Sequence, residues 1–223
     1  MDNNNDKLYL AHFLFPEASG AKEVKDVLQK GAEAERICRL KFSEGEYVQD
    51  LCLQVHKQKT LVTGLKETEA FSYELKTPEE IRRACYYLLN CFQLAHSVPP
   101  EVPALLMSRS KYEELLRKSG SYTLCFLSEC LTAETGDEEF SPLLAKAMKN
   151  PTAGGELRLC SRHNEAWSFQ QASYMEDHSG GWLVRVSCRA SEDWMVAVPL
   201  TRLQLCSSFY KWMMQPSEVS NPE

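Results

Sequence analysis

The residues able to do chemistry are nine cysteines and five histidines in a chain of 223 residues. The tightest pair with ligand spacing is Cys160-x-x-His163. A structural zinc site needs four ligands in a closed tetrahedron. His178 and Cys188 are the residues that would complete it, and nine residues separate them. Zinc modules show two tight pairs instead, and Cys188 falls on the apolar face of its strand pattern. No metal and no other cofactor is expected. A thiol nucleophile needs a lowered pKa and a base close by in space. Cys130 is the candidate by elimination, beside Glu129 at the end of an apolar run and before a polar loop. His56, His96, His163 and His178 are all open as its base. The packing alternative is that Cys130 is inert, as most cysteines in apolar elements are.

Other chemistries leave less trace. There is no G-x-S-x-G elbow, no H-E-x-x-H and no C-x-x-C. Gly154-Gly155 leads into a strand pattern and Gly180-Gly181 sits in a hairpin turn, so neither forms the strand-to-helix loop that cradles phosphates. The acidic pairs Glu79-Glu80 and Glu113-Glu114 open helices, where they favour the macrodipole. Asp137-Glu138-Glu139 is a loop run.

Aromatic residues crowd the last third: Trp167, Phe169, Tyr174, Trp182, Trp194, Phe209, Tyr210 and Trp212. Most suit a core shared by a sheet and its helix. Trp212 with Met213, and Trp167, are the candidates for surface anchors, since Trp and Met are favoured at docking surfaces. Phe13, in the apolar run Leu8 to Phe15, is the fourth binding candidate.

These residues need elements to position them. Leu8 to Phe15 is continuously apolar, ends at Pro16 and has the length of a buried strand. Ala21 to Leu40 has helical composition weakened by Gly31. Tyr47 to Val55, Thr60 to Leu65 and Ala70 to Leu75 form an antiparallel meander. Thr77-Pro78-Glu79-Glu80 is a capping box with proline at the first helical position. The helix it opens buries Ile81, Ala84, Cys85, Leu88 and Phe92 and stops at Ser97 to Pro100. Val102 to Met107 is a short strand, and Ser110 with Glu113 caps a short helix. Tyr122 to Leu131, apolar at every parity, fits a strand covered on both sides. Thr132 to Glu139 is a loop and Ser141-Pro142 opens another helix.

Asn150 to Gly155 is the strongest breaker cluster and the place for a subdomain boundary. Beyond it, strands over Glu156 to Cys160, Ala166 to Tyr174, Trp182 to Cys188 and Trp194 to Val198 make a second meander. Thr201 and Gln204 cap a last helix bearing Leu203, Cys206, Tyr210, Met213 and Met214. The organisation is a disordered start over 1–6, an N-terminal α/β portion over 7–150, a meander plus helix over 151–216 and a tail over 217–223. Both halves run meander then capped helix, with Cys85 and Cys206 in similar places. That echo allows two stacked sheets or one continuous sheet with paired helices. The fold class is α+β, a mostly antiparallel sheet with amphipathic helices on one face. A mixed sheet stays open through the central helix–strand–helix–strand segment.

Composition narrows function. Apolar residues are 43% and charged residues 25%, as in globular chains. The net charge of −6, without a basic cluster, argues against nucleic acid as partner. No apolar run is long enough to span a bilayer. An odd cysteine count with no export signal favours free thiols in the cytoplasm or nucleus. The leading reading is a non-enzymatic protein-binding module: an adaptor, a regulatory subunit or a virus-encoded binder of a host protein. A homo-oligomer is compatible with it. A cysteine–histidine hydrolase or transferase and a binder of small apolar ligands are the alternatives.

Overall fold

The computed structural model describes residues 3–17, 33–57, 59–65, 71–92, 94, 103–163, 166–189 and 192–215. Nine strands form a single sheet in the order β4-β3-β2-β1-β6-β7-β8-β9-β5. They are β1 (Arg36–Glu44), β2 (Tyr47–His56), β3 (Lys59–Gly64), β4 (Ser72–Leu75), β5 (Leu105–Ser108), β6 (Ala153–His163), β7 (Ala166–Asp177), β8 (Gly180–Arg189) and β9 (Glu192–Pro199). Six described helices accompany them: α1 (Asn3–Leu14), α2 (Pro78–Leu88), α3 (Arg109–Lys118), α4 (Leu124–Thr135), α5 (Ser141–Lys149) and α6 (Arg202–Met214). Every strand pairing is antiparallel, so the mixed-sheet alternative does not hold.

The two meanders meet at β1 and β6, which pair with Leu40 opposite Leu157 at the centre. Without β5, the order therefore runs 4-3-2-1-6-7-8-9 and is the same from either end. Of the two arrangements the echo allowed, this is one continuous sheet, and α2 and α6 pack against each other on it. Gly155 stands opposite Phe42 in this seam, and a Cβ there would run into the Lys41 carbonyl oxygen. The breaker cluster thus ends inside a strand, because glycine admits the close approach of β1.

Strand alternation sends side chains to two covered faces. Cys38, Leu40 and Phe42 of β1 join the core beneath α2 and α6, whereas Ile37 joins Leu10, Leu14 and Phe15 of the α1 segment. Trp182 and Val184 of β8 pack with Leu115, Leu127 and Leu144 of α3, α4 and α5. The one-face expectation holds for α2 and α6; the other four helices occupy the opposite face.

Several elements differ from expectation. Leu8 to Phe15 lies in and just after α1, not in a strand, and α1 starts at Asn3, inside the stretch expected to be disordered. Tyr122 to Leu131 falls largely in α4, capped by Thr123 and closed by Gly136 at φ 74°. A short apolar run does not tell a buried helix from a strand by periodicity alone. Composition does not separate them either: Asn3–Phe15 and Leu124–Leu131 contain no Val, Ile or Thr, but neither do strands β4, β5, β6 and β7. Arg36 to Leu40 is strand rather than helix end. In α3 the cap residue is Ser108, whose N–H is taken by Glu134 Oε1 at 2.9 Å, so the expected Ser110–Glu113 box does not form. The helix α2 ends near Leu89, leaving Phe92 62% exposed rather than buried. The expectations for 18–32, for the stop at Ser97 to Pro100 and for the 217–223 tail lie outside the described residues.

Other local signals are realised. Thr77 and Glu80 form a reciprocal capping box at α2, as do Thr201 and Gln204 at α6. The buried face of α6 is Arg202, Leu205, Cys206, Phe209 and Met213, rotated from the expected stripe; Met214 is exposed.

Candidate functional site

The four expected binding residues do not form one surface. Phe13 and Trp167 are half-buried on the α1 face, packed against its small core. The Phe13 ring lies 5.1 Å from Phe169, which Tyr9 also meets at 4.7 Å. Trp212 and Met213 belong to the opposite face. Trp212 stacks on Phe209 at 6.0 Å and donates from Nε1 to Ser161 Oγ at 3.2 Å, while Met213 is buried.

The thiols are mostly interior. Cys38, Cys52, Cys85, Cys91, Cys160 and Cys206 are buried, Cys130 is half-buried and Cys125 exposed. Burial pushes the Cys52 thiol up to about 12 and also raises Cys38 and Cys160, away from the thiolate a nucleophile needs. Cys130 sits in α4 against the α3–α5 core, not at a strand end as expected. The zinc candidates are spread along the sheet. His163 ends β6 opposite Ala166, whereas His178 follows β7 at its other end, a separation of about 40 Å along the strand at 3.3 Å per residue. The backbone of Cys188 pairs with Asp193 two strands from β6, and its side chain lies outside the described ones. Among the described residues no three His, Cys, Asp or Glu side chains gather as a metal site.

Sequence reasoning missed the buried arginines. Arg202, at the start of α6, grips both carboxylate oxygens of Glu44 at 2.6 and 2.9 Å and donates from Nε to Glu176 at 2.9 Å. It also donates to the Asn90 carbonyl at 3.3 Å, and its guanidinium lies 5.3 Å over Phe42. Tyr174 Oη donates to Glu176 at 2.7 Å. Burial works to lower the Arg202 pKa, but the two carboxylates together raise it. The hydrogen bond from Arg202 holds Glu44 below its ordinary value. On the other face, Arg39 and Arg158 reach from β1 and β6 to the carbonyls of Leu14 and Phe13 at 3.0 and 2.6 Å. They close the C-terminal end of α1, where cations are favoured, and are themselves paired with Asp50 and Glu156. An alternating charged residue on a central strand was the available signal.

Two surface features remain. The first is an aromatic patch where β4, the start of β2 and the end of α2 meet. Phe71 and Tyr73 stack at 5.8 Å, and Tyr47 meets Tyr87 edge-on at 6.0 Å. Phe71, Tyr73 and Tyr87 are exposed, and Gly64 leaves room for the Phe71 ring. Burial and neighbouring Tyr87 push Tyr47 up to about 12 and raise Tyr73. The second is a pocket of about 750 Å³ at the opposite end of α2. Val55, Leu75, Ile81 and Met213 supply apolar lining, and Arg36, His56, Lys57, Lys59 and Lys76 supply basic groups.

No described helix is long and apolar enough to cross a membrane. No protein-family model matches the sequence, and no curated protein matches it. Among solved structures the chain is similar to one from the Mycobacterium tuberculosis type VII secretion system chaperone EspG5 in complex with PE25-PPE41 dimer. The TM-score is 0.59 at 15% identity, over 86% of this chain and 76% of that one, and the likeness is one of fold.

Proposed function

We propose that this chain is a non-catalytic protein-binding module, of the adaptor or regulatory-subunit kind, and that its partner docks on the aromatic patch beside β4. The observation that carries this reading is the patch itself. Tyr73 and Tyr87 expose 38% and 52% of their surface next to exposed Phe71. Tyrosines of this kind supply large, rigid contact area at low entropic cost, and contiguous exposed apolar surface marks interaction sites. The strand beneath is an edge among the described residues, where β4 pairs with β3 alone, and an edge of this kind can extend the sheet with a partner's strand. The structural neighbour, a chaperone in complex with a protein dimer, supports a binding role for this fold.

The test is affinity isolation of tagged protein from its native extract, comparing wild type with Tyr73→Ser/Tyr87→Ser and with Trp167→Ser on the other face. A stoichiometric partner held by wild type and Trp167→Ser but lost by the double variant is the expected result. Retention by a folded double variant, checked by circular dichroism, overturns this placement of the interface.

A further inference from the structure

The pocket between the start of α2, the end of α6 and the β2–β3 turn contains a group that the fold itself does not use. Arg36 of β1 is 4% exposed and lines this pocket. Among the described residues its guanidinium makes no hydrogen bond or close ion pair; burial lowers its pKa, and the charge of neighbouring Glu35 offsets that only in part. The other buried arginines differ: Arg202 is held by Glu44 and Glu176, and Arg39 by Asp50. A buried charge without a partner is costly and is normally neutralised or paired.

The surroundings say what would pair with it. Lys57, Lys59 and Lys76 stand on the same pocket, against Glu35 as its acidic member. Glu74 engages Lys59 and, at 3.9 Å, Lys76. The pocket is thus basic in a chain whose net charge is −6. Its apolar lining includes buried Met213, with exposed Met214 beside it, side chains that adapt to irregular partners. A volume of about 750 Å³ exceeds what one side chain fills.

We infer that this pocket binds an acidic, apolar peptide segment of the partner protein, with one carboxylate on Arg36 and an apolar side chain on the Val55–Leu75–Ile81–Met213 floor. The fork of Arg36 suits a bidentate carboxylate contact. The lysines around the mouth suit further acidic residues along the same segment. This inference rests on the reading of the chain as a protein binder, but places a second contact away from the aromatic patch.

The experiment is a fluorescence-anisotropy titration of the full chain with a labelled octapeptide of alternating Glu and Leu. The same peptide with Lys in place of Glu is the control, and dodecanoate is the competitor. The expected result is saturable binding of the Glu peptide, weakened about tenfold in Arg36→Gln, partly restored in Arg36→Lys and absent for the Lys peptide. Arg36→Gln should also raise the melting temperature of the free protein by a few degrees, which a merely structural arginine would not do. Equal binding by Arg36→Gln, or by the Lys peptide, overturns the inference. So does tighter binding of dodecanoate than of peptide, which would make the occupant a fatty carboxylate. Arg36-dependent self-association would make it a second copy. No binding at all, with the partner still captured through the aromatic patch, would sink this inference and leave the proposed function standing.

Discussion

At the N-terminal end of α6, a buried guanidinium is enclosed by two carboxylates, a carbonyl and an aromatic ring. Near its C-terminal end, Met213 and Met214 share a pocket with another buried guanidinium, Arg36, that has no such company. Both arginines lose hydration. At the first end that loss is offset by short, charge-assisted hydrogen bonds across residues far apart in sequence. At the second no such bond forms among the described residues, and the charge of neighbouring Glu35 offsets the loss only in part. The first end therefore has the marks of a clamp, tying α6 to β1, β7 and the loop after α2. The second is the site that, on the inference above, an anion completes.

The comparison makes graded predictions. The largest effect is expected for Arg202→Met, which leaves Glu44 and Glu176 without their cation. It should cost about 3 kcal/mol, toward the low end for a broken buried pair because both carboxylates are partly exposed. In a thermal melt this is a fall of about 6–12 °C. An unchanged melting temperature would remove the clamp from the comparison. Arg36→Met should move the other way by about 1 kcal/mol, since an apolar side chain relieves the uncompensated charge. Destabilisation there would show that Arg36 has a partner in the fold. Thr201→Ala removes the cap at the Arg202 end and should cost about 1 kcal/mol by denaturant titration. A loss well short of Arg202→Met separates helix capping from charge pairing.

The smallest effect is a pH dependence. Arg202 depresses the Glu44 carboxyl below its ordinary 4.5. A depressed carboxylate contributes stability that is full above its unfolded pKa and lost as pH falls through the folded value. Melting curves of the wild type should therefore lose stability below about pH 4.5 more steeply than those of Arg202→Met. Parallel curves would mean that Glu44 is not linked to folding.

Much of the architecture was legible along the chain, and the errors share a cause. The β2–β4 meander, the second meander and both reciprocal capping boxes follow from alternation and from residues three apart. The α1 and α4 runs were misread as strands because a short, continuously apolar run has no period that separates a buried helix from a strand. The proposed docking surface was hardly legible. Trp212 and Met213, attractive as anchors, are held in by Phe209, Ser161 and burial. Phe71, Tyr73 and Tyr87, unremarked in sequence, are among the aromatics that folding leaves outside.

The amino-acid sequence alone determined the α+β class, the caps and the turns, because these depend on neighbours within a few residues. Only the tertiary structure decided that β1 pairs with β6, that Arg39 and Arg158 close α1, that Arg202 is paired and that Arg36, among the described residues, is held by no hydrogen-bonded carboxylate. The physical reason is range. Whether a buried charge is matched depends on partners up to 158 residues away in the case of Arg202 and Glu44, and no local pattern encodes them.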